Sequence, residues 1–280
     1  MLFVVVTPVP KPTSGPIVYW RQFHNCNLYD RCCSVTVSSV PDYSKLDEVL
    51  GKEAKAWPTH CLVQYPSDFD IEIDKFVGAV KFAVQGSIFE AREALSNIKS
   101  QDLSNWFIEV GQNTGIYRMK HSEKSTSKQH SGKRLMWPKN RETEVLERDA
   151  YRCRYCQIRL LHHKQLEAFA KLVGKDAFPN GRSNRARHGI RLIMRATFDH
   201  VVPVSHDSDD DKNVFENVVA SCWSCNFGKW YFTNEELGLS EPRKPVPGWD
   251  GLTGLLSSSQ SAGGWARPAS ISRDYEAGEN

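Results

Sequence analysis

The sequence carries Cys153-Arg154-Tyr155-Cys156 and Cys222-Trp223-Ser224-Cys225, two Cys-x-x-Cys pairs that enclose Asp199-His200-Val201-Val202-Pro203. Two pairs of this kind can supply four thiolates to one tetrahedral zinc ion. Because four thiolates leave no open coordination position, the predicted zinc site is structural. Its task would be to tie the chain near residue 153 to the chain near residue 222.

A carboxylate, an imidazole and two amides lie between the pairs or directly after them. These groups belong to Asp199, His200, Asn217 and Asn226. Oxygen ligands from Asp and Asn suit Mg²⁺ or Mn²⁺ better than zinc. The pattern therefore predicts a second, hard metal ion beside a histidine that can activate a water molecule, as in a metal-dependent nuclease.

These residues resemble HNH endonucleases with a four-cysteine zinc site, and the resemblance covers residues 141–233. It rests on Cys153-x-x-Cys156, Asp199-His200-x-x-Pro203, Asn217 and Cys222-x-x-Cys225-Asn226-x-x-Lys229. The resemblance implies a ββα-metal fold, in which a hairpin and the helix after it hold one divalent cation.

The resemblance also implies a role for each residue of the motif. His200 would be the general base that takes a proton from the attacking water, and Asn217 would hold the loop that orients the imidazole. Asp199 and Asn226 would bind the catalytic Mg²⁺ or Mn²⁺, which makes this chain an HNN variant of the motif.

The expected function is that of a metal-dependent DNA endonuclease or nickase, a hydrolase acting on phosphodiester bonds. Resemblance to stand-alone bacterial HNH proteins implies a role in restriction or phage defence; the alternative is an enzyme carried by a mobile element or prophage. The alternative is a non-catalytic zinc ribbon that binds nucleic acid as an adaptor in a larger complex. In that case Asp199 and His200 would be ordinary residues at the end of a strand.

The charge of the chain is unevenly placed, although its formal net value is only +3. Residues 1–115 have a small acidic excess, whereas residues 116–141 and 152–195 are strongly basic. Basic regions of this kind meet phosphate, so the insert before the Asp-His pair predicts contact with the DNA backbone; the alternative is a solvated charged surface. The candidate DNA-binding residues are Arg182, Arg185, Arg187, Arg191, Arg195 and Lys229.

Composition favours a reducing, cytoplasmic setting. The cysteines outside the two pairs, Cys26, Cys32, Cys33 and Cys61, show no metal spacing and are predicted to be free, mostly buried thiols. No run approaches the roughly 18 apolar residues of a membrane-spanning helix, so no membrane insertion is expected. The remaining candidate ligands, His162, His163, His188 and His206, are predicted to lie on the surface.

The fold class expected is α+β, with an N-terminal α/β domain followed by a ββα-metal nuclease domain that contains the zinc site. Residues 1–115 would form an accessory domain of unknown role, open to other proteins of a defence system. Residues 116–140 would be a basic linker, either plainly solvated or touching phosphate. Residues 141–240 would be the HNH domain, and residues 241–280 an irregular or disordered tail.

Local composition predicts the secondary structure along the chain. Predicted strands are Leu2–Val6, Ser34–Val40, Thr59–Tyr65, Trp106–Val110, Ile190–Phe198 and Val218–Ala220. Predicted helices are Lys45–Trp57, Ser87–Ile98, Arg141–Ala150 and His163–Val173, with a last helix that begins at Asn226.

Overall fold

The computed structural model describes residues 43–52, 56–59, 61–121, 137–204 and 213–255. Within these ranges, all residues belong to one compact unit. The strands predicted at Leu2–Val6 and Ser34–Val40 lie outside the described residues. The same holds for Cys26, Cys32, Cys33 and His206.

The first part of the described chain is a layer of helices. It contains α1 (Ser44–Leu50), α2 (Phe69–Val84), α3 (Ile88–Ser96), α4 (Ser100–Trp106) and α5 (Thr114–His121). The longest, α2, buries apolar side chains at helical spacing, among them Ile73, Phe76 and Val80. Its Phe76 ring lies 5.0 Å from that of Phe169 and 5.6 Å from that of Phe178, so α2 packs directly on the later part of the chain.

Two of the strands predicted in this region are wrong. The described residues of Thr59–Tyr65 contain no strand, and Trp106–Val110 is helical, because α4 continues into a turn of π-helix at Phe107–Gly111. The residues are rich in aromatic and β-branched side chains, but Leu103, Phe107 and Val110 are buried together at helical spacing. Tertiary packing therefore overrides the local preference for strand.

The helix predicted at Lys45–Trp57 ends early, at Leu50. The next residue, Gly51, has a φ of 79°, a conformation that favours glycine and stops the helix. The helix predicted at Ser87–Ile98 is confirmed, as α3.

The second part of the chain contains a ββα unit. It consists of α6 (Glu142–Arg148), α7 (His163–Val173), α8 (Gly189–Ile193), β1 (Ala196–His200), β2 (Val218–Cys222) and α9 (Trp223–Lys229). Strands β1 and β2 are antiparallel, with Ala196 opposite Cys222 and His200 opposite Val218. Together with the helices this sheet gives the predicted α+β class.

The ββα unit differs from expectation at two of its element boundaries. Strand was predicted from Ile190, but residues up to Ile193 form α8, because the His188 imidazole accepts the Ile190 N–H and caps a helix. Likewise α9 begins at Trp223 rather than Asn226, because Cys222 Sγ accepts the Cys225 N–H at 3.3 Å. The helices predicted at Arg141–Ala150 and His163–Val173 are confirmed, as α6 and α7.

Helix α5 packs closely on α9. A Cβ atom placed on Gly115 would lie 1.9 Å from the Phe227 carbonyl oxygen, so this contact requires glycine. The buried Arg118 donates to the Gly228 carbonyl at 2.9 Å and to the Leu62 carbonyl at 2.7 Å. The domain boundaries expected near residues 115, 140 and 240 stay predictions, while α5, which spans the first of these boundaries, packs on α9.

The described part of the C-terminal region, residues 241–255, has little regular structure but packs on the ββα unit. Arg243 N–H donates to the Arg154 carbonyl at 2.7 Å, and the Trp249 indole donates to the Leu160 carbonyl at 3.0 Å. Leu255 is buried. Residues 241–255 therefore cover the chain around Cys153 and Cys156.

Candidate metal centres

The four cysteines of the two Cys-x-x-Cys pairs come together in the structure. Their Sγ atoms all lie within 4.8 Å of one another, and those of Cys156 and Cys222 are 3.7 Å apart. Zinc–sulfur bonds of about 2.3 Å in a tetrahedron place sulfur atoms about 3.8 Å apart, so the cluster fits one zinc ion. Burial raises the pKa of the Cys156 and Cys225 thiols, so a cation is needed to hold them as thiolates.

Groups from the helical layer support this thiolate cluster. The Tyr65 hydroxyl donates to Cys222 Sγ at 3.2 Å. The charge of Arg118 acts on Cys225, and burial lowers the pKa of this guanidinium to about 10, so it remains a cation at neutral pH. Cys61 is buried close by, as predicted for a free thiol, but does not belong to the cluster. Residues well before the first Cys-x-x-Cys pair, Tyr65 and Arg118, therefore surround the four-cysteine cluster.

Asp149, which directly follows α6, is buried and pairs with two arginines, one of them inside the first cysteine pair. Its carboxylate accepts hydrogen bonds from Arg148 at 2.9 Å, from Arg154 at 2.7 Å and from the Ala220 N–H at 2.7 Å. Arg154 lies between Cys153 and Cys156, and Ala220 lies in β2. One carboxylate thus joins the end of α6, the first cysteine pair and the strand that leads to the second pair.

Asp199, a predicted metal ligand, is buried near the end of β1. Its Oδ2 atom accepts a hydrogen bond from the Tyr155 hydroxyl at 2.5 Å and lies 3.1 Å from Lys229 Nζ. No donor among the described residues contacts Oδ1. Burial, followed by the negative charge of Asp199, raises the pKa of Tyr155 well above its ordinary value, so its hydroxyl stays protonated and donates.

Asn226, the other predicted ligand, lies beside the same face of β1. Its amide nitrogen donates to Thr197 Oγ1 at 3.1 Å, and Thr197 shares a strand face with Asp199 because the two are two residues apart. Asn226 and Lys229 lie three residues apart on α9 and so share one side of that helix. The two residues predicted to bind a hard cation such as Mg²⁺ or Mn²⁺ therefore belong to elements that contact each other, β1 and α9.

His200, the predicted general base, ends β1 and is partly exposed. Its Nε2 lies 3.0 Å from Asn213 Oδ1. Because an amide oxygen can only accept, Nε2 donates in this contact. The His200 carbonyl accepts from Lys229 Nζ at 2.6 Å. In a neutral imidazole held by this contact the lone pair is on Nδ1, where it can accept a proton.

Asn217 braces the chain just after His200. Its side-chain oxygen accepts the Val202 N–H at 2.8 Å, and its side-chain nitrogen donates to the Val202 carbonyl at 3.0 Å. Its own carbonyl accepts the Val201 N–H at 2.8 Å. These contacts place Asn217 where a residue that holds the loop is expected.

The candidate DNA-binding residues occupy three different environments. Arg182 and Arg185 are exposed, whereas Arg187, Arg191 and Arg195 line one small cleft with His163 and Trp223. In this cleft, which we call the arginine cleft, Arg191 pairs with Glu167 at 2.7 Å. Burial, followed by the neighbouring guanidinium charges, lowers the pKa of Arg195. The cleft therefore concentrates positive charge that an anion would relieve.

Lys229 is the exception, since its side chain is buried. Its ammonium contacts Asp199 and the His200 carbonyl, so it does not reach a DNA phosphate from this position. The DNA-binding role predicted for Lys229 does not fit, because an ammonium can be buried only when it is paired.

Two of the histidines predicted to be surface residues are buried. His162 and His188 cap α7 and α8, each by accepting a backbone N–H at Nδ1. His162 also contacts Glu142 at 2.8 Å through Nε2, with His163 nearby. Since Nδ1 of His162 accepts, Nε2 bears the proton and donates, so hydrogen bonding accounts for this His-His-Glu cluster without a metal ion.

Sequence reasoning missed Tyr155, Asn213 and Tyr65 as site residues. Tyr155 had one available indication, since it lies inside a Cys-x-x-Cys pair, where a large side chain must point away from the metal. Asn213 and Tyr65 lie far along the chain from their partners, and their residue types carry no indication of metal chemistry.

Comparison with known protein families finds a match over part of the chain. Residues 185–229 match the family model described as HNH endonuclease. No curated protein and no solved structure matches the chain. No helix in the described ranges is long and apolar enough to cross a membrane. The matched segment contains Asp199, His200, Asn217 and Asn226 together with the second cysteine pair, and it assigns residues 185–229 to the HNH endonuclease family.

Proposed function

We propose that this protein is a divalent-metal-dependent DNA endonuclease or nickase that hydrolyses phosphodiester bonds by the HNH mechanism. The observation that carries the proposal is the arrangement of Asp199, His200 and Asn226. Asp199 and Asn226 carry side-chain oxygen atoms near the contact between β1 and α9. The adjacent His200 donates from Nε2, which leaves Nδ1 of a neutral imidazole as a proton acceptor.

In this mechanism His200 takes a proton from the water that attacks phosphorus. The hydrogen bond from Nε2 to Asn213 fixes the imidazole plane, and Asn217 fixes the chain that follows. Mg²⁺ or Mn²⁺ bound by Asp199 and Asn226 would stabilise the charge on the phosphate and on the leaving 3′ oxygen. A zinc ion bound by Cys153, Cys156, Cys222 and Cys225 would hold the two cysteine pairs in place and take no part in the chemistry.

The arginine cleft supports DNA as the substrate. Arg195 directly precedes β1 and His200 ends it, so their Cα atoms are roughly 16 Å apart along the extended strand. At about 3.4 Å per nucleotide of helix axis, that span corresponds to about five steps along one strand. The cleft is thus suited to hold a backbone phosphate several nucleotides from the scissile bond.

Salt dependence of DNA binding tests this part of the proposal. Replacing Arg187 and Arg195 with Gln should reduce the slope of log K against log salt by roughly 0.9 for each phosphate that the protein no longer neutralises. The exposed pair Arg182 and Arg185, changed to Gln separately, shows whether the outer surface contributes as well. An unchanged slope in both double variants would place these arginines away from DNA.

The biological role proposed is bacterial restriction or phage defence in the cytoplasm. Its support is the resemblance to stand-alone HNH proteins of this kind. The N-terminal region is the proposed point of contact with other proteins of such a system. Infection of cells that express either the wild-type protein or His200→Ala would test this role, and equal phage yields would contradict it.

A non-catalytic zinc-ribbon adaptor is the second candidate. The buried ion pair between Lys229 and Asp199 favours it, because a neutralised carboxylate attracts a cation less strongly. Cleavage of supercoiled plasmid with Mg²⁺, Mn²⁺ or EDTA separates the two candidates. We expect metal-dependent nicked or linear product, and His200→Ala should cut about 10²–10⁴-fold more slowly with its zinc content intact. A matched histidine variant, His121→Gln, serves as the control. Absence of metal-dependent cleavage by the wild-type protein would leave the adaptor, and a wild-type rate in His200→Ala would contradict the role of His200 as general base.

A further inference from the structure

The hydroxyl of Tyr155 links the zinc site to the proposed catalytic-ion site. Tyr155 lies between Cys153 and Cys156, and its side chain is buried. Its hydroxyl donates to Asp199 Oδ2 at 2.5 Å. A residue carried by the structural zinc site thus touches the carboxylate assigned to the second ion.

Lys229 contacts the same oxygen of Asp199 from the other side. Its ammonium lies 3.1 Å from Oδ2 and donates to the His200 carbonyl at 2.6 Å. One hydrogen bond and one ion pair therefore hold Oδ2, while no described residue donates to Oδ1. A carboxylate held in this way has one orientation and presents one oxygen to a cation.

Tyr155 and Lys229 act differently on the Asp199 carboxylate. Lys229 is a cation that competes with a metal ion for Asp199, whereas the Tyr155 hydroxyl is neutral. Without the hydroxyl, the carboxylate could turn so that both oxygens face the ammonium. The Tyr155 hydrogen bond opposes that rotation.

We propose that Tyr155 is a positioning residue for Asp199, and that the first cysteine pair is thereby part of the catalytic-ion site. This inference rests on the proposed function, because it assigns a ligand role to Asp199. A tyrosine that only filled space would tolerate removal of its hydroxyl, which makes Tyr155→Phe the decisive change.

The experiment measures Mn²⁺ binding by electron paramagnetic resonance in DNA-free protein whose zinc content is known. Removing a residue that orients a metal ligand lowers metal affinity by about 10–100-fold, so Tyr155→Phe should weaken Mn²⁺ binding by about tenfold or more. Tyr151→Phe is the matched control, because Tyr151 is also a buried tyrosine next to the first cysteine pair but does not contact Asp199. In the cleavage assay, high Mn²⁺ should restore the Tyr155→Phe rate toward that of the wild type.

Each result decides for or against the inference. Wild-type Mn²⁺ affinity in Tyr155→Phe would overturn it, and so would loss of zinc from this variant, since the hydroxyl would then serve the thiolate site. Asp199→Ala separates this inference from the proposed function. Equal Mn²⁺ binding by Asp199→Ala and wild type would refute the ion site itself, whereas weakened binding in Asp199→Ala with unchanged binding in Tyr155→Phe would refute only the role of Tyr155.

Discussion

Removing the charge of Asp149 should destabilise the protein strongly although Asp149 touches neither proposed metal ion. Asp149→Asn keeps the shape of the side chain but eliminates the negative charge that Arg148 and Arg154 share. The Ala220 N–H would also lose its carboxylate acceptor or face an amide nitrogen. The change therefore leaves two partly buried guanidinium groups without their counter-ion.

The magnitude follows from the exposure of the three side chains. Breaking a fully buried ion pair costs about 3–5 kcal/mol. Asp149 is 0% exposed, but Arg148 and Arg154 are 28% and 16% exposed, so water reaches the guanidinium groups in part. Arg148 also keeps the Phe215 and Val218 carbonyls as acceptors. We therefore expect the low end of the range, about 3 kcal/mol, or a fall in Tm of roughly 6–12 °C for a protein of this size.

Urea unfolding at fixed zinc concentration measures this effect, because urea leaves ion pairs unscreened. Glu144→Gln is the control, since it breaks the exposed Arg141–Glu144 pair and should cost less than about 1 kcal/mol. Zinc affinity should fall in Asp149→Asn alone, because Arg154 lies between two of the zinc ligands. A decrease in stability no larger than that of Glu144→Gln would refute the reasoning.

Three further predictions concern other parts of the fold. Burial lowers the pKa of His188 to about 4, so this imidazole stays neutral in the folded state, whereas in the unfolded state it gains a proton below a pH of about 6.5. The free energy of unfolding should therefore fall by up to about 3 kcal/mol as the pH drops from 6.5 to 4. His188→Asn keeps an acceptor for the helix cap and should remove this part of the pH dependence in urea titrations at several pH values, whereas an unchanged profile would contradict it. Gly115→Ala should cost roughly 1–3 kcal/mol in the same titrations, because its Cβ would overlap the Phe227 carbonyl, and a neutral result would show that α5 can move from α9. Cys222→Ser should abolish zinc binding and yield misfolded protein, and folded variant without zinc in elemental analysis would show that the metal is dispensable.

The ββα unit could be predicted from sequence because its residues are constrained by chemistry. Cysteine spacing indicates zinc, and Asp199 and His200 had to lie near the end of a strand to meet Asn226. The helical layer could not be predicted as well, since Trp106–Val110 has strand-forming composition and becomes helical only through packing. The buried position of Lys229 could not be predicted either, because a lysine after the motif is expected on the surface unless its pairing with Asp199 is known.

The close packing of α5 on α9 affects whether the nuclease segment can fold when it is moved into another protein. A fragment beginning near residue 141 would lack Tyr65, which donates to a zinc thiolate, and Arg118, which binds the last turn of α9. It would also expose the aromatic side chains that α2 covers. Recombination at this point would separate the metal ligands from groups that hold them, so exchange between proteins should favour larger pieces that include residues 61–121.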